Sequence, residues 1–186
     1  MRKLIAILIM IGLAVFFYFY VSNLSQTDTP SNTRLERITN HDLTYEYPNS
    51  PREVIVLFNQ ILAYIYSDHI VEDEVEVILL QQRKLMSDNL LSNNPFSVHQ
   101  ERVISEIKDN KENRRRIIES RIQDITPDSY FGEENEFCRV KVIYYLAEEN
   151  RSNINVYHEY TLEKDENSRW KILGWEDTEQ FEIVGE

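Results

Sequence analysis

Cysteine is nearly absent from this chain. Cys138 is the only one in 186 residues, so no internal disulfide can form and any fold must be held by its core. There is no CxxC pair, and no cysteine follows the N-terminal apolar run as a lipid-modified signal would require. Glycine is scarce too. The four glycines form no phosphate-cradling loop, and no GxSxG, HExxH or Walker sequence occurs, which removes the common serine-hydrolase, zinc-protease and nucleotide readings. No cofactor and no bound metal are therefore expected. Positive charge is in deficit, with 20 Lys and Arg against 32 Asp and Glu and a net charge of −12. Such a chain is poorly matched to nucleic acid, whose phosphates dominate affinity.

One long apolar run is present, LIAILIMIGLAVFFYFYV over residues 4–21. At about 1.5 Å per residue its eighteen residues reach about 27 Å as a helix, close to the roughly 30 Å hydrocarbon core of a bilayer. A cleaved signal would end in small residues, whereas this run ends in bulky aromatics. Arg2 and Lys3 precede it, and all 32 acidic residues follow it. The charge bias predicts a single-pass signal anchor over residues 1–21, with the N-terminus cytoplasmic and the bulk extracytoplasmic at the cell membrane.

Residues 22–46 are polar, lack helical apolar spacing in their first half and read as a flexible tether. YPNSPREV at Tyr47–Val54 is a compact helix start: Ser50 caps, Pro51 suits the first helical position and Glu53 completes a capping box. The helix is expected to run to about Ser67. A second is expected over about Glu72–Leu91, its acidic EDEVE start suiting the positive end of the helix dipole. The NNP sequence ends it and opens a third, whose apolar face is Val103, Ile104 and Ile107.

YPNSPREV, LLSNNP at Leu90–Pro95 and RWKILGW at Arg169–Trp175 together resemble the landmarks of an uncharacterised family of small membrane-anchored proteins from clostridial (Lachnospiraceae-type) bacteria. The resemblance covers the anchor and nearly all of the remaining chain. It implies an anchored architecture and a Gram-positive surface, and supplies no functional residues.

From Arg115 the apolar period changes from helical to alternating. Strands are expected at about Arg116–Ile125, Glu136–Glu148, Ile154–Glu163 and Arg169–Glu176, joined by turn-rich connections. The fold class is therefore α+β, with three helices on one face of a four-stranded antiparallel meander over residues 47–177 and a tail at 178–186. The plan is similar to cystatin-like and nuclear-transport-factor-like rolls, a likeness of shape that fixes no activity.

Strand alternation groups Cys138, Val140, Val142 and Tyr144 with Val156, His158, Tyr160 and Leu162 on one sheet face. His158 among Tyr144 and Tyr160 is the one candidate general base. No carboxylate shares that face in the sequence pattern. The other face gathers Arg139, Lys141, Tyr145 and Trp175, aromatics beside cations that suit a protein or glycan partner. The C-terminal EQFEIVGE could instead cover that face. Gly174 is a candidate bulge that blurs the parity assignment of the last strand. The acidic cluster Asp68, His69, Glu72 and Asp73 lacks calcium-loop spacing. Arg114–Arg116 reads as a solvated junction, and His41, Asp42 and His99 form no constellation. The pattern favours a non-enzymatic binding or accessory module at the cell envelope. The alternative is a small pocket enzyme using His158.

Overall fold

The computed structural model describes residues 31–124, 126–132, 135–149 and 153–183. The chain divides into two compact units, Met1–Arg34 and Leu35–Glu186, and the sheet and its helical layer belong to the second. Five helices are described: α1 (Ser31–Thr39), α2 (Pro51–Ile65), α3 (Glu72–Arg83), α4 (Asp88–Asn93) and α5 (Phe96–Glu112). They precede β1 (Arg116–Ile122), β2 (Ser129–Phe131), β3 (Glu136–Ala147), β4 (Ile154–Lys164) and β5 (Trp170–Asp177).

The expected membrane-spanning architecture is corrected. Among the described residues no helix is long and apolar enough to cross a membrane. The longest, α5, has 17 residues and carries Arg102, Glu106 and Lys108 within a turn or two of one another, short of the roughly 20 apolar residues a span needs. Residues 4–21 lie outside the described residues, so the terms membrane, signal anchor, single-pass and extracytoplasmic rest on no described element. The sheet is corrected as well, from four strands to five. The TPDSYFGEEN connection contains β2, which pairs with β3 through Ser129–Cys138, Tyr130–Phe137 and Phe131–Glu136. Tyr130 stacks on Phe137 with centroids 5.8 Å apart, which gives three residues enough cross-strand contact to hold the ladder.

All pairings are antiparallel, in the order β1-β3-β4-β5, and β2 pairs with β3. One face of the sheet carries Cys138, Val140, Val142, Tyr144, Tyr160, Leu162 and Ile172, all buried under the helical layer. The central helix, α2, is buried along Val54, Ile55, Phe58, Ile61 and Ile65 and packs across β1, β3 and β5. Ser50 accepts the Glu53 amide at 3.2 Å, while the Glu53 carboxylate takes the Asn49 amide at 2.8 Å. Ile38 and Leu43 also enter the core, so residues within the 22–46 segment pack against the domain.

The single helix expected over Glu72–Leu91 is two. After Arg83 the backbone leaves the helix so that Leu85–Ser87 can line the outer edge of β5. Ile172 donates to the Leu85 carbonyl at 2.8 Å, and Ser87 donates to the Ile172 carbonyl at 2.9 Å. This parallel bridge at Met86 covers an edge that would otherwise present unpaired groups. Ser87 then caps α4 by accepting the Leu90 amide.

Candidate functional site

A cleft of about 180 Å³ opens between the helical layer and the sheet. Its walls are Phe58 and Leu62 from α2, Val103 from α5 and Tyr160 and Trp175 from the sheet; its polar groups are Tyr66, Gln82, His99, Glu106 and His158. Trp175 reaches it through a bulge. Thr161 pairs with Gly174 but Leu162 pairs with Ile172, so Leu173 is the extra residue and everything beyond it changes face. Trp175 therefore lies opposite Tyr160, with ring centroids 5.8 Å apart, and 6.0 Å from Phe58. It does not share the outer face with Arg139, Lys141 and Tyr145. Gly174 has open space where a Cβ would be.

His158 is half-buried and donates from Nε2 to Asp177 Oδ1 at 3.1 Å. The carboxylate that the alternation pattern did not place comes from the end of β5, brought opposite His158 by strand pairing. Since Nε2 carries the proton, Nδ1 is the acceptor in the neutral ring. That nitrogen is buried with no hydrogen-bond partner, and Gln82 Oε1 is a second buried acceptor without one. The rings of Tyr144 and Tyr160 lie edge-on to His158 at 5.4 and 6.1 Å. Their hydroxyls point into a separate buried chain in which Tyr160 meets Tyr144 at 2.7 Å and Tyr144 donates to Asn59 Oδ1. Burial pushes both phenols well up, so neither is a base at neutral pH. At the rim, Tyr66 donates to the Glu106 carboxylate.

Burial holds His158 below its usual value of 6.5, outweighing the opposing pull of Asp177. His99 is held down by burial and then by Arg83 and Arg102, and its Nδ1 faces Arg83 Nη1 at 3.3 Å. The sign of the pH effect follows. Above about 6.5 both rings are neutral in the folded and the unfolded chain; below it the unfolded chain binds protons that the folded chain refuses, and stability falls until the depressed folded values are reached. The denaturant midpoint should therefore drop between about pH 7 and pH 5 more steeply in the native chain than in the His99→Gln/His158→Gln variant. Identical slopes in the two proteins would remove this assignment.

The outer-face residues sit elsewhere. Arg139 and Lys141 share Glu159, at 3.4 and 3.7 Å, and Arg139 lies over Tyr130 while Arg121 lies over Tyr145. The C-terminal segment crosses this face: Thr178 donates to the Tyr157 carbonyl at 2.9 Å, and Phe181 packs on Tyr157 and under Lys141 Nζ. Cys138 is buried, with its thiol pushed up to about 11 chiefly by burial. Asp68, His69, Glu72 and Asp73 are exposed, and among the described residues no group of three or more His, Cys, Asp or Glu side chains could hold a metal ion. Arg114 and Arg115 pair with Glu149 at 2.6 Å and Asp109 at 2.8 Å. His41 donates from Nε2 to the Glu46 carbonyl at 2.9 Å, and Asp42 accepts the Thr44 amide.

The sequence reading missed Gln82, Tyr66 and Glu106. Gln82 and Glu106 lie on helices whose polar positions look solvated in one dimension, Tyr66 lies just past the end of α2, and only the packing of the helical layer turns them toward the cleft. No curated protein matches the chain. The family match carries no statement of bacterial origin or membrane anchoring, and no functional residues. It spans residues 1–175, and the chain accordingly belongs to the family described as a domain of unknown function (DUF6715).

Proposed function

We propose that this domain is a non-enzymatic binding module whose ligand seats in the helix–sheet cleft. The ligand is a small apolar or aromatic group that carries hydrogen-bond donors. One observation carries the reading: His158 Nδ1 and Gln82 Oε1 are two buried acceptors without a protein donor, on residues that line the same cleft. A buried acceptor left alone costs about 1–3 kcal/mol, and a ligand N–H or O–H recovers that energy. The aromatic walls favour a flat body, and about 180 Å³ is below the roughly 300–1,000 Å³ of pockets for drug-sized molecules, so the occupant is a fragment-sized compound or a single side chain of a partner.

Binding is favoured over catalysis for a physical reason. A general base works best with a pKa near the working pH, and burial moves His158 the wrong way. Asp177, with a side chain 91% exposed, is too well solvated to offset it.

The test uses benzamide, which has two N–H donors on a phenyl body, and toluene, which has none. The indole N–H resonance of Trp175 should move saturably with benzamide and respond about tenfold more weakly to toluene. In Gln82→Leu, which removes the unpartnered amide oxygen, stability should hold or rise while the preference for benzamide shrinks. Equal responses to the two probes, or none to either, would refute the reading.

A further inference from the structure

A second cleft, of about 330 Å³, lies on the outer edge of β5, and Met86 lines both. Four cations converge on it: Arg83, Lys84, Arg169 and Lys171. The protein carries a net charge of −12, so carboxylates are abundant, yet none of the four makes an ion pair among the described residues. Lysines and arginines elsewhere take Glu149, Asp109, Glu159 and Glu136. Asp88, which lines the cleft, and Asp165 both act on Lys171 from a distance, and Asp42 feels Lys84, but none of the three is within ion-pair reach of these cations.

Carbonyls and an aromatic face hold these cations instead. Arg169 Nη2 donates to the Thr44 carbonyl at 2.8 Å, Lys171 Nζ to the Lys84 carbonyl at 2.6 Å, and Arg83 Nη1 to the Asn94 carbonyl at 2.8 Å. The Tyr47 ring lies against Lys171 Nζ at 4.5 Å and against the Arg169 guanidinium at 5.1 Å, while its hydroxyl is fixed by the Trp170 carbonyl at 2.7 Å. Carbonyl and π contacts fix position without neutralising charge, and each cation retains donors beyond those it uses. Like charges so gathered repel one another, and burial depresses Lys171 further; a bound anion relieves both. Leu43, Met86 and Leu91 supply apolar lining.

We propose that this cleft binds a phosphate monoester with a small apolar body. The phosphate suits it better than a carboxylate because it brings about −1.5 to −2 charge and three strong acceptor oxygens to a cluster of several donors. An inorganic phosphate would leave the apolar lining unused. The volume falls in the range of small-molecule sites, roughly 300–1,000 Å³.

The experiment titrates the full chain by calorimetry with phenyl phosphate, inorganic phosphate and phenol in parallel. Phenyl phosphate should bind saturably, more tightly than either of its halves, and weaken as salt is raised. Lys171→Met should weaken it at least about tenfold, the loss of one charge-assisted hydrogen bond. Lys84 is exposed and tied only to Gln81, so Lys84→Gln keeps the fold and should also weaken binding. His158→Gln should leave it unchanged. Absence of saturable binding to the native chain, or equal binding by native chain and Lys84→Gln, would overturn the site. Inorganic phosphate binding as tightly as phenyl phosphate would overturn the monoester assignment.

Discussion

Trp170→Ala is expected to cost about 3–5 kcal/mol, the range for a large-to-small change at a buried aromatic, whereas Trp175→Ala should cost about 1–2 kcal/mol and act chiefly on the cleft. Trp170 is 6% exposed and Trp175 45%. Trp170 starts β5 on the helix side, its ring under Lys164 Nζ at 5.2 Å, so truncation opens a cavity in the core and removes a cation–π contact together. Domains of this size are stable by only about 5–15 kcal/mol, so the Trp170 change takes a large fraction of the margin. Trp175 touches Phe58 and Tyr160 on one side only. Its loss removes two tilted ring contacts and one cleft wall while the strand ladder stays intact. Paired denaturant melts decide the matter. Equal, large losses would make both rings core residues and take the aromatic wall away from the proposed ligand site.

The two tryptophans also show what one dimension can carry. Period-two alternation grouped Cys138, Val140, Val142 and Tyr144 with Tyr160 and Leu162 on one face, and all six are buried under the helices, because a regular strand alternates faces by geometry. The same rule put Trp175 on the outer face, and one extra residue at Leu173 reversed it. Gly174 was the only hint of that bulge. The start of α2 was legible down to the hydrogen bonds, since Ser50, Pro51 and Glu53 interact locally. The end of α3 was not. Nothing near Leu85 breaks a helix; the break exists because β5, 85 residues further on, offers an edge whose hydrogen bonds the segment completes. The cleft failed to show for a similar reason. Gln82, Glu106 and His158 lie on three elements, and Asp177, which turned out to orient His158, sits on a strand whose register cannot be read from alternation alone. The cationic cleft combines Arg83 and Lys84 with Arg169 and Lys171, pairs that only the Met86 bridge brings together.

Tyr144→Phe is expected to destabilise the domain more than Tyr160→Phe, although each change removes one hydroxyl. The carbonyl oxygen of Asn59 can only accept, so Tyr144 must donate to it, and the single proton of Tyr144 is then committed. Tyr160 is left as donor to the Tyr144 oxygen at 2.7 Å. All three residues are buried, at 5%, 3% and 1% exposure. Removing the Tyr144 hydroxyl strands two groups at once, the Asn59 carbonyl and the Tyr160 hydroxyl, each at about 1–3 kcal/mol. Removing the Tyr160 hydroxyl strands neither donor nor carbonyl, because Tyr144 still reaches Asn59, and costs about 1 kcal/mol, one ordinary hydrogen bond. The double variant should then cost less than the sum of the two, since Tyr160→Phe eliminates one of the groups that Tyr144→Phe orphans. Denaturant melts of the two single variants and the double complete the cycle. Additive losses, or a larger cost for Tyr160→Phe, would mean that the proton chain runs the other way or that the hydroxyls act independently, and the directed path from β4 through β3 to α2 would be wrong.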